Sequence, residues 1–131
     1  MKRGQSGLSL LVAIDKPLGM SSHDVVNACR RIYGERRVGH TGTLDPLATG
    51  LLPICVGPAT RLDNYLTGHD KGYRVSIGFG FETTTDDVEG QICSEGPIEE
   101  HLKDTAFAAS FIESLIGKHA SIWRPCASIA V

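Results

Sequence analysis

The chain has 131 residues, 41% of them hydrophobic and 21% charged, a composition typical of one globular domain with a hydrophobic core. Its formal net charge of -2 excludes a polycation, so any nucleic-acid binding must depend on local basic patches. The four cysteines are too far apart for a CxxC metal pair, and no secretory signal or membrane-spanning run is visible. We therefore expect no metal, no membrane partner and reduced thiols in the cytoplasm.

A strand and a helix are predicted first. Residues 8–14 are apolar and branched, which predicts a buried strand, and residues 15–19 predict a turn. Ser21 is followed three residues later by Asp24, which is typical of a capped helix start. Gly34 is well placed to end this helix.

The middle of the chain predicts a loop, a strand and a short helix. Residues 39–50 contain three glycines and a proline, which indicates a loop. Residues 51–56 predict a strand in which Pro53 requires an edge position or a bulge. Residues 59–66 predict a short helix.

The C-terminal half adds one strand and the clearest helix. Hydrophobic residues alternate from Tyr73 to Phe79, which predicts a half-buried strand. Residues 82–90 are polar and predict a loop. Residues 98–116 carry an apolar stripe at helical spacing, and Gly117 follows it. Strands and helices in this order predict an α+β domain.

Asp45 is the first candidate for chemistry. It lies between Leu44 and Pro46 in the glycine-rich segment, where another backbone can approach closely. Such a side chain suits the floor of a cleft. The alternative is that Asp45 caps a turn, as Asx-Pro sequences often do, and the local residues alone favour this alternative.

Four segments in order carry recognisable motifs. Residues 14–22 end an apolar strand in D-K-P-x-G-x-S-S, and residues 39–50 read G-H-T-G-x-L-D-P-x-A-x-G. Residues 71–75 supply a tyrosine, and residues 83–90 resemble T-x-T-x-D-x-x-G. In this combination the chain resembles the TruB family of tRNA pseudouridine synthases, over roughly residues 7–117.

The resemblance implies isomerisation of a uridine in the TΨC arm of tRNA to pseudouridine, without cofactor or metal. It implies a pseudouridine-synthase-like α+β fold, with a mixed, largely antiparallel sheet flanked by helices and incomplete here. Asp45 would be the catalytic nucleophile or base, since a carboxylate can form a covalent intermediate or take a proton. The partner would be the TΨC stem-loop, bound by a monomer.

Tyr73 and His40 match family residues that serve a flipped-out base. A stacked uridine must leave the RNA stack to react, and an aromatic face can hold it. By resemblance Tyr73 stacks on the flipped base, and His40 fills the space that the base leaves. The alternatives are that Tyr73 only begins a core-facing strand and that His40 is an ordinary solvated residue.

Four charged residues complete the predicted site. By resemblance Lys16 supports the active site, although a solvated turn lysine fits nearly as well. Asp87 matches an acid that pairs with an active-site arginine. Arg36 and Arg37, with the pair at 30–31, either grip phosphates or form a charged helix end in water.

The chain departs from the family pattern after Lys118, where Q-x-P-P-x-x-S-A-x-K is expected, and at Thr84, where aspartate is common. The family's later strands, second tyrosine, active-site arginine and C-terminal RNA-binding domain are not encoded in these 131 residues. We therefore expect residues 1–131 to be a partial catalytic domain with little or no activity alone. The alternative is an inactive RNA-binding remnant of the same fold. Guide-RNA-dependent synthases share the motifs, but the short segment before Gly7 favours the stand-alone tRNA enzyme.

Overall fold

The chain forms two compact units, the first ending at Tyr73 and the second beginning at Arg74. The computed structural model describes residues 6–117. Within that range no helix is both long and apolar enough to cross a membrane. The predictions for residues after Gly117, including the departure from the family pattern at Lys118, concern residues outside the described range.

The first unit is a small antiparallel sheet with helices. Its three strands are hydrogen-bonded in the order β1-β3-β2, so β3 is central. Along the chain its elements are β1 (Leu10–Lys16), α1 (Ser22–Tyr33), β2 (Val38–His40), β3 (Gly50–Val56), a 3-10 helix (Gly57–Leu62) and α2 (Asp63–Leu66). In register, Leu10 and Val38 both lie opposite Val56.

Helix α1 supplies one side of the core. Ser21 and Asp24 form the predicted capping box, and Gly34 closes the helix at φ 59°, so both predicted ends are confirmed. The buried cluster joins the inner face of α1 to strands β2 and β3: Val25, Val26, Cys29, Val38, Leu52, Ile54 and Val56. This packing fixes the strand ends from which the central loop emerges.

The prediction of a buried strand over residues 8–14 is wrong in its bounds and its burial. Strand β1 starts at Leu10 and continues through Asp15 and Lys16, which were predicted to form a turn. It is an edge strand of this sheet, and only one of its faces packs against the core cluster. Leu11 is therefore 54% exposed, whereas Val12 lies partly buried against the core.

The prediction that Pro53 requires an edge or a bulge is also wrong, since β3 is the central strand. Strand β2 ends at His40, opposite Ile54, so β3 has run past it at Pro53. The carbonyl of Pro53 accepts a hydrogen bond from the Thr41 amide at 3.1 Å, just beyond the end of β2. Proline has no N–H to return the second hydrogen bond of this pair, and the β2–β3 ladder ends at His40. The predicted loop over 39–50 shortens to 41–49, because both ends belong to strands.

The second unit contains a hairpin and short helices. Strand β4 (Phe81–Thr83) pairs with β5 (Ile92–Glu95) in antiparallel fashion, followed by a 3-10 helix (Glu100–Lys103) and α3 (Thr105–Ser114). The α+β class is confirmed, and every strand pairing in the described range is antiparallel. The sequence analysis predicted residues 82–90 as a loop and did not predict the two short strands that this segment connects.

Two predictions fail in this unit. The alternating run from Tyr73 to Phe79 forms no strand, because no other strand of residues 6–117 pairs with it. The single helix predicted over 98–116 is interrupted at Asp104. Its side chain accepts a hydrogen bond from the Ala106 amide at 2.9 Å and so starts a new helix. The helix cap at Asp104 thus divides the segment, although the hydrophobic residues continue at helical spacing on both sides of it.

Candidate active-site loop and neighbouring groove

The loop over residues 41–49 places Asp45 between two residues whose backbones are held firmly. On one side, the Ser22 hydroxyl donates to the Leu44 carbonyl at 3.0 Å and accepts from the Leu44 amide at 2.8 Å. Ser22 is 3% exposed, and the Leu44 side chain packs against the core cluster. Residue 44 is therefore fixed both by its backbone and by its side chain.

On the other side of Asp45, the Pro46 carbonyl accepts hydrogen bonds from the Gly19 amide at 2.8 Å and the Lys16 ammonium at 3.4 Å. The Lys16 Nζ also donates to the carbonyls of Pro17 at 3.0 Å and Met20 at 2.6 Å. Lys16 is fully buried, so the interpretation of a solvated turn lysine is wrong. A buried ammonium ringed by carbonyls ties the turn after β1 to the Asp45 loop.

Asp45 itself is exposed, and its carboxylate has no hydrogen-bond or ion-pair partner among residues 6–117. The turn that follows is closed by the backbone, because the Ala48 amide donates to the Asp45 carbonyl at 3.0 Å. The alternative that the Asp45 side chain caps this turn is therefore wrong. An unoccupied carboxylate on a fixed backbone is available to a ligand.

His40 ends β2 opposite Ile54 and is half-buried. Its Nδ1 atom is buried and has no hydrogen-bond partner within the described part of the chain. The interpretation of His40 as an ordinary solvated residue is therefore wrong. A buried ring nitrogen without a partner is uncommon, and such a group is often completed by a ligand or water.

A groove of about 380 Å³ runs beside the Asp45 loop. One wall is the loop from Thr41 to Leu44, and the other includes Lys71 and Tyr73. Tyr73 is 62% exposed, so the alternative that it begins a core-facing strand is wrong. The Lys71 ammonium donates to the carbonyls of Thr67 at 2.6 Å and His69 at 3.2 Å. The groove thus brings Tyr73 to the loop that carries Asp45, although neither Asp45 nor His40 lines it.

The arginines lie around a separate, shallow depression. It has a volume of about 540 Å³ and is lined by Arg30, Arg31, Gly34, Glu35 and Arg36. Arg37 contacts the buried Glu35, with its Nε 3.5 Å from Oε1. Arg36 and Arg37 thus differ, since only Arg37 has a carboxylate partner in the described range.

Asp87 lies in the second unit and organises the turn between β4 and β5. Its Oδ1 accepts hydrogen bonds from the Thr85 hydroxyl at 2.6 Å and from the amides of Glu89 at 2.8 Å and Gly90 at 3.2 Å. These bonds, the Thr85 hydroxyl first, hold the pKa of Asp87 below its usual value. Its predicted pairing with an arginine remains a prediction.

Sequence reasoning missed the roles of Ser22 and Glu35. Ser22 could have been found from the double serine at 21–22, because a helix needs only one of the two as its cap. Glu35 gave no such signal, since a glutamate between charged residues looks solvated. Within residues 6–117 no three His, Cys, Asp or Glu side chains gather as a metal-binding group.

Comparison with known proteins identifies the relatives of this chain. The model of the TruB family pseudouridylate synthase, N-terminal domain, matches residues 30–129. A protein of Caldanaerobacter subterraneus subsp. tengcongensis is 58% identical over 83 residues, covering 63% of this chain and 29% of the relative. One from Idiomarina loihiensis is 43% identical over 118 residues (90% and 37%), and one from Citrobacter koseri is 52% identical over 107 residues (82% and 34%). All three are named tRNA pseudouridine synthase B, and this chain spans about a third of their length.

Proposed function

Because the chain belongs to the TruB family of pseudouridylate synthases by its N-terminal domain, we propose that it takes part in converting a uridine of tRNA to pseudouridine. The proposed target is the uridine of the TΨC arm, and the proposed nucleophile or base is Asp45. The relatives named tRNA pseudouridine synthase B support the reaction and the tRNA substrate. The proposal needs no cofactor or metal and places the reaction in the cytoplasm.

The observation that carries the proposal is the state of Asp45. Its carboxylate is exposed and has no partner in residues 6–117, while Leu44 and Pro46 on either side are held by Ser22, Gly19 and Lys16. A carboxylate with a purely structural role normally accepts hydrogen bonds or forms an ion pair within the protein. Asp45 instead presents an exposed carboxylate from a backbone that is already held in place, which suits a group that must meet a bound nucleotide.

The neighbouring residues suit a flipped uridine. During the isomerisation the glycosidic bond to nitrogen breaks, the base turns, and a bond from a base carbon to the sugar forms. That carbon loses its proton to water, and the nitrogen freed from the sugar takes up a proton. A carboxylate can serve as nucleophile or as base in such a sequence. Tyr73 offers an exposed aromatic face in the groove beside the loop, on which the base can stack. His40 would fill the space that the base leaves.

A second candidate function is RNA binding without turnover. It is favoured by one observation: no cationic side chain contacts the Asp45 carboxylate within the described residues. A carboxylate that must attack in a water-poor site is normally oriented by a cation or hydrogen-bond donor. Both candidates predict binding of a TΨC stem-loop, and only the first predicts a product.

A tritium-release assay separates the two. The 131-residue chain is incubated with a TΨC stem-loop labelled at the uridine carbon that loses its hydrogen. If the proposal holds, release occurs and Asp45→Asn lowers its rate by at least about 10²-fold, the lower range for positioned acid–base groups. Asp15→Asn, an exposed carboxylate on β1, is the matched control and keeps the wild-type rate. Binding of the stem-loop without any release would leave the RNA-binding function instead.

A further inference from the structure

Three arginines lie at the C-terminal end of α1, and two of them have no side-chain partner in the described residues. The side chains of Arg31 and Arg36 make no hydrogen bond or ion pair within residues 6–117. Arg30 donates to the Asn27 side chain at 3.0 Å and the Val38 carbonyl at 3.4 Å, and its Nε is buried without a partner. All three line the depression of about 540 Å³.

The one carboxylate in this depression is already occupied. Glu35 is 1% exposed and accepts hydrogen bonds from the amides of Ser6 and Arg37, both at 3.1 Å. Its Oε1 also lies 3.5 Å from the Nε of Arg37. Glu35 therefore offsets the charge of Arg37 and leaves that of Arg31 and Arg36 uncompensated.

Stabilisation of the helix end does not account for these side chains. Basic residues in a last helical turn can interact with the free carbonyls there. In the described structure the only carbonyl that this trio reaches belongs to Val38 of β2, and Gly34 already closes the helix in the left-handed conformation. The guanidinium groups of Arg31 and Arg36 remain available to an external anion.

The depression lies close to the proposed reaction site along the chain. Strand β2 starts directly after Arg37 and ends at His40, so His40 lies four positions after Arg36, which lines the depression. At about 3.3 Å per residue the separation is on the order of 10 Å. An RNA strand whose vacated base position lies at His40 can therefore reach the depression with a phosphate of a nearby nucleotide.

We propose that the depression lined by Arg30, Arg31 and Arg36 binds backbone phosphates of the RNA whose uridine enters the Asp45 site. This inference rests on the proposed function, since it takes the same RNA as ligand, and adds a contact away from the reacting nucleotide. Arginine suits the role because its planar donors pair with phosphate oxygens in a bidentate manner. The contact is independent of base sequence and contributes affinity and orientation.

The test measures the affinity of the 131-residue chain for a TΨC stem-loop RNA at several salt concentrations. In the double variant Arg31→Gln/Arg36→Gln, we expect binding to weaken on the order of 10-fold at low salt. The slope of log affinity against log salt should fall by about 1.5, for two lost phosphate contacts. Arg61→Gln removes an exposed arginine outside the depression and should change the affinity less than about two-fold.

Three outcomes would overturn the inference: no RNA binding by the wild-type chain, wild-type affinity and slope in the double variant, or an equal loss in Arg61→Gln. Vesicles of anionic lipid provide a further arm. If they bind with the same dependence on Arg31 and Arg36 and displace the RNA, the patch is a general anionic-surface site and the inference fails.

This test is independent of turnover, because Asp45→Asn should bind the stem-loop as the wild type does. Arginine-dependent binding without tritium release would contradict only the proposed catalytic function. Tritium release together with wild-type binding by the double variant would contradict only the phosphate site.

Discussion

Asp45 owes its position to its two neighbours in the chain and not to its own side chain. Ser22 holds the backbone of Leu44, and Gly19 with Lys16 holds the carbonyl of Pro46. The carboxylate is left without a structural task in the described residues. The proposed function of Asp45 and the stability of its loop therefore depend on different side chains, which can be tested separately.

Lys16 should matter for stability. Lys16→Met keeps the length and apolar volume of the side chain but removes the ammonium. The carbonyls of Pro17 and Met20 lose this donor, and that of Pro46 keeps only the Gly19 amide. We expect the free energy of unfolding to fall by about 1–3 kcal/mol, the cost of buried groups left unsatisfied. Urea denaturation measures the change. Lys103→Met, which breaks only an exposed ion pair, should cost less than about 1 kcal/mol; equal costs for the two variants would contradict the role of Lys16.

Glu35 should make the stability depend on pH. Hydrogen bonds from the Arg37 amide first, and also from the Ser6 amide, hold the pKa of Glu35 below its usual value despite its burial. A carboxylate with a depressed folded-state pKa stabilises the protein above its unfolded pKa of about 4.3, and this stabilisation is lost as the pH falls through the folded-state value. We therefore expect the free energy of unfolding to decline below about pH 4.3.

In the variant Glu35→Gln this acid-dependent decline should be smaller, because the titrating group is gone. Asp24 and Asp87, whose pKa values are also lowered by hydrogen bonds, will keep part of it. Glu113→Gln changes an exposed glutamate of α3 and should leave the pH profile unchanged. Denaturant curves at pH 3 to 7 give the comparison, and identical profiles for Glu35→Gln and the wild type would refute the assignment.

Helix α1 and the Asp45 loop are coupled through adjacent serines with different tasks. Ser21 caps the helix, whereas Ser22, one residue later, binds the loop. Ser22→Ala should leave the Leu44 amide without its partner and destabilise the first unit by about 1–3 kcal/mol. Hydrogen exchange of the Leu44 amide should quicken together with this loss.

Ser21→Ala is the matched control for that element. It should cost about 1 kcal/mol by loss of the cap, with exchange quickening in the first turn of α1 and not at Leu44. If the Leu44 amide exchanges equally fast in both variants, the loop is coupled to the helix as a whole and not through the Ser22 hydroxyl.

The sequence predicts elements best where their ends are marked by local chemistry. The serine and glycine around α1 set both ends correctly, because capping depends only on neighbouring residues. Strand burial could not be predicted for β1, since it depends on which strand becomes the edge. The alternating residues after Tyr73 were predicted to form a strand and do not. A β-strand requires a second strand to pair with, and the periodicity of one segment does not show whether such a strand is present.

In the candidate site, too, the sequence predicted some features and missed others. The motifs at 14–22 and 39–50 indicated the loop and its aspartate. They did not reveal that Lys16 is buried or that Ser22 holds Leu44, because both depend on contacts between segments about 20 to 30 residues apart. The role of Glu35 was invisible for the same reason, since its partner Ser6 lies 29 residues away.

At the scale of the whole molecule, the two units differ in how many of their hydrophobic side chains are buried. Every fully buried hydrophobic residue of the described chain lies in the first unit, the last of them at Ala59. In the second unit large apolar side chains such as Phe79, Ile92 and Phe111 are about half-exposed. The first unit therefore holds most of the hydrophobic stabilisation.

Limited proteolysis should reveal this inequality. Lys71 and Arg74 are exposed, and the residues around them have no regular secondary structure. We expect the first tryptic cut within residues 6–117 to fall after one of them, leaving a persistent N-terminal fragment. Mass spectrometry of a time course identifies the products. The double variant Lys71→Gln/Arg74→Gln should slow this cut, and a first cut inside α1 or after Arg61 would contradict the expectation.

The firm hold on Leu44 and Pro46 also has a thermodynamic consequence for encounter with RNA. Fixing the backbone of a mobile residue costs about 1–2 kcal/mol in conformational entropy. In this chain folding has already ordered both neighbours of Asp45, through Ser22, Gly19 and Lys16. In the proposed function, a bound nucleotide would not need to use interaction energy to order that loop, and more of that energy would remain for extracting the uridine from its stack.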